Sequence, residues 1–244
     1  MLPNIQLESA LHRIRAITLD LDNTLWEIDS VIRRAESQLW TWLGENYPRI
    51  PEVFSPEDVV VLREVVIEKY WKDKSHDLTF LRKKALEMLA KEADYGNSLV
   101  EPAFAIFDAA RNEVELYPDV LPALEELYEK YTLVAVTNGN ANLERIGIRH
   151  LFHDVVAASA VGVAKPAKKI FDIAVRKCGV PAHEILHVGD HPVADVDGGR
   201  RAGLRTAWLN RTDAEWSEDL PEPDVVATTI SEIRDLLANA VRES

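Results

Sequence analysis

The sequence predicts an α/β protein, a parallel sheet flanked by helices, with a helical bundle inserted after the first strand. Short β-favouring runs recur at Ala16–Leu19, 133–136, 155–158, 185–188 and 206–209, spaced by helix-length or longer segments, as repeated βαβ units require. The stretch 26–116 breaks that rhythm, with helical periodicity and no convincing strand. The chain has 244 residues, 47% apolar and 28% charged, with only 10 Gly and 12 Pro. Such a chain buries a sizeable core and is neither disordered nor low in complexity.

The first run leads directly into Asp20-Leu21-Asp22-Asn23-Thr24, a strand feeding a loop of turn and cap residues. Within the insert, Val31, Ala35, Leu39 and Trp42 mark one helix, and Ser55-Pro56-Glu57-Asp58 reads as the N-cap of the next, with Pro in the first turn. Leu78, Leu81, Ala85 and Leu89 repeat at helical spacing. Ser98-Leu99-Val100-Glu101 has the form of a capping box ahead of Ala103, Phe107, Ala110 and Val114. Four helices make a small bundle. Tyr117-Pro118-Asp119 then returns the chain to the core, where Leu121, Leu124, Leu127 and Tyr128, then Ile170, Phe171, Ala174 and Val175, read as helices. A last helix through Ile233, Leu236, Leu237 and Val241 is expected to cover the sheet. The expected division is a core of 1–25 and 117–244 and a helical domain of 26–116.

With 28 Lys and Arg against 41 Asp and Glu, the net charge is −13. An acidic chain without a basic run repels phosphate backbones and anionic lipid, so neither nucleic acid nor membrane is expected as a partner. A small anionic substrate requires only a local cation. Cys178 is the single cysteine, which excludes an internal disulfide framework and a Cys-based metal cage. Glu8 and two arginines interrupt the N-terminal stretch where a signal peptide needs an apolar run, and the apolar run 155–164 is too short for a membrane helix. A cytoplasmic location is expected.

Four polar clusters follow or flank the strand runs: Asp20 with Asp22, Thr137 with Asn138, Lys165, and Asp190 with Asp195. In a parallel sheet the carboxyl ends of the strands share one edge, and ligands bind where the strand order reverses. The topology therefore gathers these clusters. Two carboxylates at one strand exit suit a nucleophile that accepts a phosphoryl group and an acid/base that protonates the leaving oxygen and then activates water. Taken alone, they also read as loop carboxylates capping a helix. Oxygen ligands suit Mg²⁺, and a divalent cation relieves the repulsion of Asp20 and Asp190. Asp195 by itself reads equally as a helix cap. Thr137 and Asn138, ahead of Gly139, offer a hydroxyl and backbone N–H groups to a phosphate, although the tripeptide alone is an ordinary turn. Lys165-Pro166 places an ammonium at the start of a helix, an unfavourable end for a cation without an anion nearby. Lys168 and Lys169 read as solvated.

In this order, DLDNT, the apolar strand ending in TNG, the Lys165-Pro pair and GDHPVAD resemble the four motifs of the haloacid dehalogenase superfamily. The resemblance covers the core. It implies a Rossmann-like sheet, Mg²⁺ as cofactor, Asp20 as nucleophile, Asp22 as acid/base, Thr137 and Asn138 as phosphate binders, and Lys165 as charge stabiliser and phosphate binder. Asp20, Asp190 and the backbone carbonyl of Asp22 would hold the metal, Asp195 would orient the metal's surroundings or Lys165, and the helical insert would be a mobile cap. LVAVTNGN, EILHVGDHPVADVDGG and RRAGLRTAWLNR are similar to the bacterial flavin mononucleotide phosphatase group, which also acts on the phosphorylated ribitylamino-uracil precursor of riboflavin.

The implied function is a Mg²⁺-dependent phosphomonoesterase that acts on small-molecule phosphate esters through an aspartyl phosphate. Haloacid dehalogenation and phosphoryl mutation are the alternatives within the superfamily. Asp22 weighs against the former, because a departing halide needs no proton. Trp26, Trp40, Trp42 and Trp71 fall at the cap side, where one could stack on an isoalloxazine ring but packing is the simpler use. His187 reads as a satisfied core histidine, His150 and His153 as loop residues, and Cys178 as helix packing.

Overall fold

The computed structural model describes residues 11–242, the last two as backbone only, so residues 1–10 and 243–244 of the expected core and the Val241 side chain lie outside the described residues. The chain divides into two compact units. One comprises 11–27, 115–139 and 147–242 of the described residues; the other comprises Ile28–Val114 and Asn140–Ile146. The segment 140–146 lies within the 117–244 span yet groups with the helices.

The first unit is a six-stranded, all-parallel sheet in the order β3-β2-β1-β4-β5-β6. The strands are β1 (Ala16–Leu19), β2 (Thr132–Thr137), β3 (Asp154–Ala157), β4 (Ile185–Gly189), β5 (Arg205–Leu209) and β6 (Val225–Ala227). This is a Rossmann-like order, with the chain reversing its direction of travel across the sheet at β1. β6 is a strand beyond the five expected. Its three residues are too few to show alternation, and Pro221 and Pro223 precede them. Every residue of β1 and β4 is buried, as in a parallel sheet covered on both faces. One face packs Ala16, Val134, Val136 and Ile185 against Ile170, Phe171, Ala174 and Cys178.

The helical unit contains α1 (Ile28–Asn46), α2 (Pro56–Lys74), α3 (Leu78–Glu92) and α4 (Val100–Arg111). Its own core includes Leu39, Leu43, Leu62, Val66, Leu89, Phe107 and Ala110. The Ser55 hydroxyl accepts from the Asp58 N–H while the Asp58 carboxylate accepts from the Ser55 N–H, a complete capping box at α2. The box expected at Ser98 does not form. A 3₁₀ turn, Asn97–Leu99, leads into α4, so Leu99 occupies the N-cap position without a side-chain bond. The segment 140–146 joins this unit through the Asn142 N–H, which donates to Asn112 Oδ1 at 2.7 Å, and through the Arg145–Asp108 ion pair.

In the sheet unit, α5 (Val120–Tyr128), α6 (Lys168–Cys178) and α7 (Ile230–Arg242) flank the strands. His153 lies in a loop, as expected, and is tied into the fold there: its Nδ1 accepts from the Leu133 N–H and its ring stacks on Tyr128. Among the described residues, no helix is long and apolar enough to cross a membrane.

Candidate active site

The carboxyl ends of β1, β2 and β4 gather the site, all of it within the sheet unit. The ladder between β1 and β4 continues one residue past β1, where the Asp20 N–H donates to the Val188 carbonyl at 2.9 Å. This carries Asp20 to the sheet edge. Asn23 then takes a positive φ of 60° and turns the loop, and its N–H donates to the Trp26 carbonyl at 2.8 Å. Asp22 and Asn23 thus face Trp26 across a tight turn, and the Trp26 Nε1–H donates to Asp22 Oδ1 at 2.9 Å. Trp26 was expected at the cap side. It is fully buried in the sheet unit, where it anchors Asp22.

Lys165 is buried, and its Nζ donates to Asp20 Oδ1 at 2.5 Å and to Asp195 Oδ1 at 2.6 Å. Burial works to lower the lysine, but Asp195 and Asp20 together hold it protonated well above its ordinary range. Its backbone is pinned by Asn138, whose Oδ1 accepts from the Lys165 N–H at 2.7 Å and whose Nδ2 donates to the Lys165 carbonyl at 3.0 Å. Asn138, expected beside a phosphate, commits both ends of its side-chain amide to this task. Thr137 ends β2, buried, and its Oγ1 accepts from the Gly139 N–H at 2.9 Å, which leaves the hydroxyl proton available to donate.

Asp190 follows β4. Its carbonyl accepts from Trp208 Nε1 at 2.8 Å, and its Oδ1 lies 3.5 Å from the Thr24 hydroxyl, which is equally far from Asp20 Oδ2. Oxygens of Asp20, Asp190 and Asp195 lie within 4.8 Å of one another. Burial, reinforced by Asp195 and Asp190, pushes the Asp20 carboxyl well above the usual range despite Lys165. Burial and Asp195 push Asp190 up to about 6. Fully ionised, three carboxylates against one ammonium would leave two negative charges uncompensated, and the donors are all oxygens, so the cluster fits a hard divalent cation.

Within that cluster Asp195 is already engaged. Its Oδ1 accepts from Lys165 and lies 3.1 Å from His187 Nε2, and its Oδ2 accepts from the His191 N–H at 3.0 Å. Burial alone would raise Asp195, but Lys165 and His187 outweigh it and hold the carboxyl well below the ordinary range. This leaves Asp20 and Asp190 as the carboxylates better placed to hold a cation. His191 caps the turn carrying Asp195, its Nδ1 accepting from the N–H groups of Val193 and Ala194.

A family model for haloacid dehalogenase-like hydrolases matches residues 14–203. The chain belongs to this family. Among known proteins similar to it, 5-amino-6-(5-phospho-D-ribitylamino)uracil phosphatase YigB of Escherichia coli K12 is 35% identical over 82% of this chain and 84% of its own. Glyceraldehyde 3-phosphate phosphatase of Methanopyrus kandleri is 31% identical over 94% and 98%. Among solved structures, a 2-haloacid dehalogenase from Pseudomonas syringae pv. Tomato DC3000 superposes with a TM-score of 0.86, at 32% identity, covering 93% of this chain and 99% of that one. The Rossmann-like core with its inserted helical bundle is therefore the architecture of a haloacid dehalogenase-like hydrolase.

Sequence reasoning did not place Trp26, Thr24 or His187 in this site. Thr24 lies inside DLDNT and was within reach as a hydroxyl between two carboxylates. Trp26 needed the turn at Asn23, and His187 needed the strand register.

Proposed function

We propose that this hydrolase is a Mg²⁺-dependent phosphomonoesterase for small phosphorylated metabolites. The observation that carries the reading is the pair Asp20 and Asp22 on one loop, with the Lys165 ammonium 2.5 Å from Asp20. One carboxylate is charge-compensated for attack, and a second stands ready to carry a proton. Asp20 attacks phosphorus in line and forms an aspartyl phosphate, while Asp22 delivers its proton to the leaving alkoxide. Asp22 then takes a proton from water as the water attacks phosphorus, releasing inorganic phosphate and restoring the Asp20 carboxylate. Lys165 and the Thr137 hydroxyl offset negative charge on the transferring oxygens. Asp20, Asp190 and the Asp22 carbonyl would hold Mg²⁺, which supplies Lewis-acid neutralisation of the phosphoryl oxygens when bound.

The proposed substrates are flavin mononucleotide and the phosphorylated ribitylamino-uracil. Supporting this, the E. coli relative is named for the latter, and core segments are similar to that group. The Methanopyrus relative is named for another terminal phosphate, on a triose, so activity across short-chain phosphate esters is expected. Dehalogenation is the second reading, favoured by the resemblance to the Pseudomonas structure. Asp22 argues against it, because a proton donor serves an alkoxide and not a halide.

The deciding experiment is a side-by-side kcat/KM measurement on these two esters, hexose phosphates and 2-haloacids at fixed Mg²⁺ and pH. The expected outcome is phosphate release, fastest from the flavin-pathway esters. Preference for a hexose phosphate would reject the flavin assignment alone, and halide release without phosphate release would overturn both. Exhaustive chelation should abolish turnover. Mg²⁺ should restore it, and Ca²⁺, which takes more oxygens at longer distance, should do so poorly.

A further inference from the structure

Beneath the proposed catalytic groups lies a hydrogen-bonded chain that the reaction does not itself require. On adjacent strands, Thr18 of β1 and His187 of β4 are register partners, so their side chains share a sheet face. Thr18 Oγ1 lies 2.8 Å from His187 Nδ1, His187 Nε2 lies 3.1 Å from Asp195 Oδ1, and Asp195 Oδ1 accepts from Lys165, which also donates to Asp20. Thr18 and His187 are wholly inaccessible to solvent, and Asp195 is 1% exposed. Phe171 meets the imidazole edge-on at 5.1 Å, and a Cβ added to Gly199 would lie 3.5 Å from His187 Cβ. The ring is therefore closely packed against Phe171 and the Gly199 backbone, away from solvent.

We propose that His187 is a positioning residue. As a neutral Nε2–H tautomer, held by the Thr18 hydroxyl donating to Nδ1, it fixes the Asp195 carboxylate against Lys165 and thereby aims the ammonium at Asp20. The opposite tautomer would turn the bare Nε2 lone pair toward a carboxylate, which is repulsive. Burial lowers the imidazole's affinity for a second proton against the pull of Asp195, and the nearby ammonium acts in the same direction. Without this donor, Asp195 is held only by Lys165 at Oδ1 and by the His191 N–H at Oδ2, and Oδ1 gains freedom to turn toward Asp20 and Asp190, where a third carboxylate would compete for a cation's coordination sphere. The proposal rests on the phosphatase reading for its kinetic consequence but not for its tautomer.

The test combines kinetics on p-nitrophenyl phosphate and on the best metabolite ester with thermal unfolding and nitrogen-resolved NMR of the imidazole. Partners that orient a reacting group from behind are worth about 10–100-fold, so His187→Leu should lower kcat by that order and leave KM within about threefold. His187→Gln can place an amide N–H near the position of Nε2 and should recover most of the loss. Thr18→Val should lower kcat less than His187→Leu does, and the double variant should be no worse than His187→Leu alone, since both act through one carboxylate. NMR of the unsubstituted protein should show the neutral Nε2–H tautomer, and Thr18→Val should shift it.

The proposal is overturned if folded His187→Leu keeps kcat within twofold, if Gln recovers nothing at equal thermal stability, or if the Thr18 and His187 losses multiply. Should the leucine variant fail to fold, the Gln and Thr18→Val kinetics and the tautomer still decide. Failure of the phosphatase reading would appear as absent phosphate release in the unsubstituted protein, whereas an Nδ1–H tautomer would sink the positioning role whatever the activity.

Discussion

A Cβ on Gly189 would lie 2.3 Å from Asp195 Cγ, a distance at which something must move. The residue before Asp190 is thus bare so that Asp195 can fold back under the end of β4 and reach Lys165. Gly189→Ala should displace that carboxylate and lower kcat by about tenfold or more, within the range for lost orienting partners. A substituted enzyme with normal kcat would show that Asp195 has room elsewhere. Trp26 acts on the other carboxylate. Trp26→Phe removes the Nε1 donor and retains an aromatic ring, so Asp22 loses that hydrogen bond, and general acid catalysis is worth roughly 10²–10⁴-fold in all. The loss should therefore be a fraction of that and larger for an alkyl ester than for p-nitrophenyl phosphate, whose leaving group needs little protonation. Equal losses on both esters would remove Trp26 from the proton-transfer step. Asp20, Thr137 and Asp190 were legible as candidates because each stands at a strand exit where its residue type is out of place in a core, and Lys165 because an ammonium is out of place at the start of a helix. His187 was legible only as a buried polar residue needing partners. That Thr18 and Asp195 supply them depends on pairing across residues far apart in sequence, which one chain's local pattern does not carry.

The same contrast holds for whole elements. Strands β1, β2 and β4 announce themselves as apolar runs because both faces are buried, whereas the short edge strand β6 does not. The bundle helices were legible from their periodicity, but Ser98 has a capping sequence and no capping role, since a 3₁₀ turn intervenes. Ser55 is a true cap, and Ser55→Ala should destabilise the helical unit by about 1 kcal/mol, visible as a lower urea midpoint, whereas Ser98→Ala should leave it unchanged. The sheet unit has a tie of its own. Arg211 donates to both Asp119 oxygens at 3.0 Å, and the Ile230 N–H donates to the same carboxylate at 2.7 Å, joining the ends of β5, α5 and α7. Burial works to raise Asp119, but Arg211 and the Ile230 N–H outweigh it and hold the carboxyl below its ordinary range. A carboxyl depressed on folding stabilises the protein above its unfolded value of about 3.9, and that contribution is lost as pH falls through the folded value. Asp119→Asn should therefore cost about 1.5–3 kcal/mol near neutral pH, as expected for charged hydrogen bonds. The unfolding midpoints of the two proteins should converge in acid below the folded value. A gap that persists there would mean that the pair's charge contributes nothing.

At the scale of the whole molecule, the net charge of −13 sets a problem that the site solves only locally. The proposed substrate is a phosphate dianion approaching an acidic protein. Fully ionised, the Asp20, Asp190 and Asp195 cluster with Lys165 sums to −2, and Asp22 adds a further negative charge whenever it is ionised, so a bound divalent cation would bring the site at most to neutrality and not to a positive well. Over distances of several residues the approaching ester therefore meets mainly the repulsive field of the remaining surface. That field reaches about 30 Å at 0.01 M salt and about 8 Å at 0.15 M, so salt should screen repulsion more than it screens attraction. We expect kcat/KM for a dianionic ester to rise by a factor on the order of 2–5 between those salt concentrations, modest beside the 10–10³-fold that focused steering can produce. The change should lie in KM, with kcat unaltered, because the buried chain from Asp20 to Asp195 is shielded from bulk ions. Initial rates at fixed free Mg²⁺ and pH, with NaCl varied, measure this directly. A fall in kcat/KM with salt would show instead that a cationic path guides the ester inward, and a change in kcat would place mobile ions within reach of the reacting groups.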